Sequence, residues 1–137
     1  QQVDGVSLLE INAGKEFQNF QSVLHSVHNS DFLKYLGQVS AGLPDGEKCY
    51  LSQFTEAEVK ADTPIYNSTY EEALRSARVA WHAAQSCASS GKTSYALCRP
   101  PGHHAGPAFF GGYCVINNAA VSTSPFLTAT CSGVSPL

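Results

Sequence analysis

A long amphipathic helix that leads directly into a short apolar strand is the dominant pattern of this chain of 137 residues. Apolar side chains recur at three-and-four spacing from Ser68 or Thr69 to about Ser89, and Gly91 follows as a stop signal. Thr69 and Glu72 have the spacing of a T-x-x-E capping box. The stripe expected to be buried comprises Tyr70, Ala73, Leu74, Ala77, Trp81, Ala84 and Ala88.

The opposite side of this helix is polar and carries Glu71, Arg75, Arg78, His82 and Gln85. Glu71 and Arg75 are spaced for a weak surface ion pair. His82 is expected to be a solvated surface residue. The helix therefore packs only one face against the rest of the molecule.

Residues 93–98 form an apolar run of the length expected for a buried strand, and a helix that feeds such a strand predicts an α/β fold. The next segment, 99–107, reads RPPGHHAGP, and its three prolines and two glycines exclude both helix and strand pairing. A rigid loop therefore holds His103 beside His104. Loops at the carboxyl ends of α/β strands commonly bind ligands, so a functional pair and a merely exposed pair both remain open here.

Two shorter helices are predicted upstream. The first follows Gly14 and extends to about Asn29, with apolar positions at Phe17, Phe20, Val23, Leu24 and Val27. The second has Ser30 as its N-cap and stops near Gly37 or Gly42. A loop over 41–64 comes next. Beyond the histidine loop, 109–114 supplies aromatic walls and glycines that permit close approach, and 115–121 begins another helix.

Composition narrows the class of protein. The net charge is −3 and the eight basic residues form no run, so a nucleic-acid partner is not expected. No apolar stretch is long enough for a membrane span, which predicts a soluble protein. The five cysteines include no C-x-x-C pair and indicate reduced thiols in a reducing compartment such as the cytoplasm. The residues leave the oligomeric state open.

Charge is unevenly distributed along the chain. Asp and Glu are absent after Glu72, and 100–137 contains no charged residue other than histidine. Folded domains normally carry both signs of charge on their surface, so the tail 122–137 is expected to be disordered. Since the chain starts at Gln1 rather than Met, we expect its true beginning to be missing.

Two motifs together resemble a known family. Residues 99–106, RPPGHHAG, followed by 111–120, GGYCVINNAA, resemble the active-site segment of zinc-dependent deacetylases of the acetylpolyamine amidohydrolase and histone deacetylase superfamily. The resemblance covers 27–121, so residues 1–121 are assigned to the N-terminal part of such a domain. The sequences GGYC at 111–114 and NNAA at 117–120 resemble those of acetylpolyamine amidohydrolases more than those of histone-directed enzymes.

The resemblance implies an incomplete parallel-sheet, three-layer fold of the arginase and deacetylase type, in which zinc and a water molecule hydrolyse an N-acetyl amide. It implies that His104 is the general base and that His103 stabilises developing charge and protonates the amine. Gly112 would offer its carbonyl to the substrate amide, and Tyr113 would form a wall of the channel. The substrate would be a small acetylated amine or acetyl-lysine.

One part of the family pattern is missing. The family draws its zinc ligands from Asp-x-His and a later Asp, and nothing after Val121 matches them. The acids that would orient the two histidines are not recognisable either. Two hypotheses follow: the chain is a fragment of a zinc amidohydrolase, inactive by itself and without catalytic zinc, or it is a non-catalytic interaction or decoy module derived from one.

Overall fold

The structure, a computed structural model, describes residues 16–55 and 62–123. The elements in chain order are α1 (Glu16–Val27), α2 (Ser30–Gly42), β1 (Lys48–Cys49), β2 (Ile65–Tyr66), α3 (Thr69–Ser90) and α4 (118–123). The three main helices lie where apolar periodicity predicts them. Within the expected tail, 122 and 123 continue α4, whereas 124–137 lie outside the described residues.

The start of α2 differs from the prediction by one residue. Asn29, and not Ser30, is the N-cap, and its Oδ1 accepts the N–H groups of Asp31 at 2.8 Å and Phe32 at 3.3 Å. The helix passes through Gly37 and ends at Gly42. The absence of a side chain at Gly37 lets the Tyr70 ring approach the helix. A Cβ at Gly37 would lie 3.2 Å from that ring.

The ends of α3 give one confirmation and one correction. Gly91 ends the helix in the left-handed conformation, with φ of 67°, as predicted. The capping box is wrong: Ser68 is the N-cap without a side-chain bond, and the Thr69 hydroxyl accepts the N–H of Tyr66 at 2.8 Å instead. This hydroxyl thus stabilises the turn that leads from β2 into the helix.

The two sides of α3 also differ in detail from the expected pattern. The predicted pair of Glu71 and Arg75 is replaced by Glu72 and Arg75, whose side chains meet at 3.2 Å. His82 is half-buried, with its ring centroid 5.1 Å from that of Trp81, rather than surrounded by solvent. The buried residues of the helix are Ala73, Ser76, Ala77 and Trp81, of which the serine was not expected.

The predicted buried strand at 93–98 does not form within the part of the chain that the structure describes. These residues are unpaired, and the side chains of Tyr95 and Leu97 are 85% and 84% exposed. The only described sheet is β1 with β2, an antiparallel pair that joins Lys48 to Tyr66 and Cys49 to Ile65. A strand needs a neighbour to satisfy its backbone and bury its faces, and no described strand lies beside 93–98.

One hydrophobic core connects all the helices. Edge-to-face contact joins Phe20 to Trp81 at 5.8 Å between ring centroids, and Phe32 faces Phe110 at 6.5 Å. Other members are Leu24, Leu33, Leu36, Ile65, Ala73, Ala77, Val115, Ile116 and Val121. Burial of each large side chain stabilises by about 1.5–3 kcal/mol. The core thereby fixes 110–121 against α1, α2 and α3.

The described cysteines form no disulfide bonds with one another. Cys49, Cys87, Cys98 and Cys114 are free thiols, while Cys131 lies outside the described residues. Within 16–55 and 62–123, no helix is long and apolar enough to cross a membrane.

Candidate active site

The loop that carries the two histidines is pinned at its start by α3 and α4. The carbonyl of Pro100 accepts the Ser76 hydroxyl at 2.7 Å and the Asn118 side-chain amide at 3.1 Å. The same amide also donates to the Ser76 hydroxyl at 2.8 Å. A side chain at Gly102 would collide with backbone atoms of Ile116 and Asn118, so glycine is required there.

The far end of the loop is pinned from the junction of α1 and α2. The N–H of Asn29 donates to the Pro107 carbonyl at 2.8 Å. The Asn117 side chain donates to the carbonyl of Ala105, the residue after His104, also at 2.8 Å. The histidines therefore lie on a segment whose backbone is fixed on both sides.

A turn over 111–114 faces the histidines and is closed by two hydrogen bonds between Gly111 and Cys114, at 3.1 and 2.9 Å. Its central residues, Gly112 and Tyr113, have φ of 55° and 63°. Non-glycine residues rarely adopt such values. A Cβ at Gly112 would approach the Cδ2 atom of His104 to 2.7 Å, so the glycine permits close contact with that ring.

Asp62 and Thr63 hold this turn. The Asp62 carboxylate accepts the N–H of Gly112 at 3.0 Å, and the Thr63 hydroxyl accepts the N–H of Tyr113 at 2.9 Å. The same hydroxyl donates to Asp62 at 2.8 Å. These bonds stabilise a backbone conformation that the Tyr113 side chain disfavours by itself.

Asp62 is also an electrostatic neighbour of His104. The Thr63 hydroxyl, the Gly112 N–H and then the charge of His104 hold the pKa of Asp62 below its ordinary value, although desolvation opposes them. An ionised carboxylate therefore lies near His104. Sequence reasoning missed Asp62 and Thr63 as site residues, since both fall in the predicted loop over 41–64.

The four residues predicted for the site come together. The rings of His103 and His104 have centroids 4.3 Å apart, and both side chains are exposed. Tyr113 is 64% exposed, so its ring borders an open surface. Tyr113 also lines a cleft of about 430 Å³, which is bounded as well by Arg99, Pro101 and Glu72.

The described residues do not supply a metal centre. Across 16–55 and 62–123, no group of three or more His, Cys, Asp or Glu side chains could hold an ion. A catalytic zinc needs about three protein ligands.

Comparison with known proteins identifies the family. The profile of the histone deacetylase domain matches residues 7–132, which is most of the chain. The chain belongs to the histone deacetylase domain family. The match extends beyond 27–121, the segment in which the resemblance is visible by motif, at both ends.

Relatives of this family are similar over part of their length. Acetylpolyamine amidohydrolase 1 from Pseudomonas aeruginosa is 46% identical over 82 residues, which are 60% of this chain and 22% of that protein. Histone deacetylase 8 from Arabidopsis thaliana is 35% identical over 115 residues, which are 82% of this chain and 28% of that protein. The chain therefore spans less than a third of the length of either relative.

A solved member of the family has the same architecture. The crystal structure of acetylpolyamine aminohydrolase from Burkholderia pseudomallei superimposes with a TM-score of 0.67 at 27% identity. The superposition covers 78% of this chain and 37% of that one. The superfamily and the α/β deacetylase fold that the motifs predict are thereby confirmed.

Proposed function

We propose that this chain is part of a zinc-dependent amidohydrolase that removes acetyl groups from acetylated amines, either acetylpolyamines or acetyl-lysine. The observation that carries the proposal is the pairing of His103 and His104, 4.3 Å apart, beside the Gly112 turn of a histone deacetylase domain. Residues 1–121 would form the N-terminal part of that domain. Neither nucleic acid nor a membrane enters the proposal as a partner.

Amide hydrolysis needs one group to accept a proton from water and another to donate a proton to the departing amine. Adjacent imidazoles suit this division, because differing surroundings let them hold different protonation states. His104 is assigned as the base and His103 as the group that stabilises charge and protonates the amine. The Asp62 carboxylate, whose pKa the Thr63 hydroxyl and the Gly112 N–H lower, lies near His104.

The turn over 111–114 would orient the substrate. Because Asp62 accepts the N–H of Gly112 at 3.0 Å and Thr63 accepts the N–H of Tyr113 at 2.9 Å, the peptide groups on both sides of Gly112 are fixed. The Gly112 carbonyl would then accept the N–H of a substrate amide. The exposed Tyr113 ring would lie along the aliphatic stem of the substrate. An aromatic face beside a methylene chain favours an acetylated amine whose alkyl chain is long and unbranched.

Zinc belongs to this proposal only for the complete domain, where it would polarise the acetyl carbonyl and activate water. The described residues do not fit a zinc site, so no step of this chain is assigned to the metal. We expect the 137-residue chain by itself to be inactive.

The inactivity of the isolated chain can be assayed directly. Purified chain with added zinc is incubated with a fluorogenic acetyl-lysine substrate and, separately, with an acetylated polyamine. No turnover above buffer is expected. Turnover that the substitution His104→Ala abolishes would contradict the assignment of this chain as an inactive part.

A chimera tests the roles of the histidines. Residues 16–121 replace the corresponding segment of the Pseudomonas acetylpolyamine amidohydrolase, which supplies the rest of its own domain. Deacetylation is expected to persist, and His104→Ala should reduce kcat by about 100-fold or more, as removal of a general base does. His82→Ala in α3 is the matched control and should stay within about threefold. A folded chimera that is active and indifferent to His104→Ala would sink the assignment.

One observation favours the second candidate function, a non-catalytic interaction module. The extended segment 93–98 exposes Tyr95 and Leu97 almost completely, and its backbone pairs with none of the described strands. Such an edge is prone to pair with another polypeptide. Sedimentation of the purified chain as a monomer at every concentration would argue against this candidate.

A further inference from the structure

His28 is a buried histidine to which the proposed chemistry assigns no role. It lies between α1 and α2, is 2% exposed and stacks on the ring of Phe32 with 5.6 Å between centroids. Its Nε2 atom accepts the backbone N–H of Asn117 at 3.0 Å. The bond joins residues 89 positions apart in the sequence.

Asn117 transmits this contact to the histidine loop. Its side-chain amide donates to the carbonyl of Ala105 at 2.8 Å, and its Oδ1 accepts the N–H of Ala120 at 3.0 Å at the start of α4. Beside it, the N–H of Asn29 donates to the Pro107 carbonyl at 2.8 Å. Residues 28 and 29 therefore hold, directly or through Asn117, the backbone on the carboxyl side of His104.

The hydrogen bond from Asn117 requires one tautomer of His28. Because Nε2 accepts, it must carry the lone pair, and the proton of the neutral ring must be on Nδ1. Among the residues that the structure describes, the buried Nδ1 has no partner in hydrogen-bond geometry, although the carbonyls of Gly106 and Pro107 lie close enough to oppose the effect of burial. Burial is the larger effect and lowers the pKa of His28, which favours the neutral ring.

We propose that His28, neutral and protonated on Nδ1, is a positioning residue for the pair His103 and His104. It fixes Asn117, Asn117 fixes the Ala105 carbonyl, and the backbone immediately after His104 is thereby set against Gly112. The inference rests on the proposed function only in treating the pair as the acid and base. An ordinary buried histidine would stabilise the whole molecule without this local effect.

The tautomer can be measured on the unmodified protein. The full 137-residue chain, labelled with nitrogen-15, gives the protonation state of each histidine ring nitrogen by NMR at about pH 7. The expected spectrum has a proton on Nδ1 of His28 and an unprotonated Nε2. A proton on Nε2, or a charged ring, would overturn the proposal, and this holds whether or not any variant folds.

Three variants separate positioning from general stability. His28→Leu removes the acceptor but keeps an apolar group of similar size, and His28→Gln restores an acceptor through its amide oxygen. His25→Leu removes an exposed imidazole from the same end of α1 and is the control. The readouts are amide hydrogen exchange at Asn117, exchange at Ala77 in the core of α3, and the ring resonances of His103 and His104.

His28→Leu should accelerate exchange at Asn117 by about tenfold relative to Ala77, the factor that corresponds to one net hydrogen bond. It should also shift the ring resonances of both histidines, while His28→Gln stays within about threefold of the parent chain. Equal acceleration at Asn117 and Ala77, or unmoved His103 and His104 resonances, would refute the positioning role. Because no turnover is measured, failure here is distinct from failure of the proposed deacetylase function.

Discussion

Gly112 is the position at which a single methyl group should most clearly disturb the site. The substitution Gly112→Ala imposes two costs, one of backbone conformation and one of packing. The φ of 55° lies in the left-handed region, which costs an L-residue about 1–2 kcal/mol. The new Cβ would also meet the Cδ2 atom of His104 at 2.7 Å, well inside contact distance. Because the His104 side chain is exposed and can shift, relief of this clash adds about 1–2 kcal/mol, the lower part of the range for overpacking.

Two other glycines isolate these terms. A Cβ at Gly111 would meet nothing within 4 Å, and this residue is not among those with positive φ, so Gly111→Ala should change stability by less than about 0.5 kcal/mol. Gly91 has φ of 67° and the same open space, so Gly91→Ala should cost about 1–2 kcal/mol through conformation alone. Gly112→Ala should exceed both and reach about 2–4 kcal/mol.

Urea denaturation of the four chains measures these differences. With a slope of about 2 kcal/mol per molar urea, Gly112→Ala should lower the midpoint by about 1–2 M. The ring resonances of His104 should shift in this variant and not in Gly91→Ala. If Gly112→Ala matches Gly91→Ala in midpoint and leaves His104 unmoved, the contact between the Gly112 turn and the histidine is not as inferred.

Three further predictions concern the groups around the site. The pKa of Asp62 is lowered in the folded chain, so the stability it contributes is fully present above the unfolded pKa of 3.8 and is lost as the pH falls through the folded pKa. The free energy of unfolding of Asp62→Asn should therefore fall less steeply with decreasing pH than that of the parent chain. The pKa of His28 is lowered from 6.5 in the folded chain, so as the pH falls this histidine takes up a proton more readily in the unfolded chain. Stability should therefore decline below about pH 6.5, and urea melts of His28→Gln should show a smaller decline. Ser76→Ala should cost about 0.5–1.5 kcal/mol, because the Pro100 carbonyl loses one of its two donors. Ser89→Ala on the exposed end of α3 should be neutral in the same melts.

Local signals predict the helices well. Apolar periodicity and the stop at Gly91 depend on neighbours within one or two turns, and α3 ends where they indicate. The N-caps are harder, because Asn29 and Ser30 are both good caps and the choice depends on which residue has extended backbone. The run at 93–98 has the composition of a strand, but strand formation depends on a partner that local sequence does not specify.

The site residues also divide into those that the local sequence predicts and those that depend on distant contacts. His103, His104, Gly112 and Tyr113 are found from two short motifs, since each motif is contiguous. Asp62 and Thr63 contact the turn across 50 positions of sequence. Such contacts are decided by the fold of the whole chain, and nothing in the local sequence distinguishes the buried His28 from the exposed His25 three residues before it.

Residues of this chain supply the hydrogen bonds that hold the histidine loop and the Gly112 turn, whereas the described residues supply no metal centre. Asn29 and Asn117 hold the carboxyl side of the loop, and Ser76 with Asn118 holds its start. Asp62 and Thr63 hold the opposing turn. These anchors are hydrogen bonds among residues of the chain itself, and the hydrophobic core holds 110–121 against α1, α2 and α3. They are the physical reason to expect the histidines of this chain to keep their arrangement when 16–121 are placed in a complete deacetylase domain.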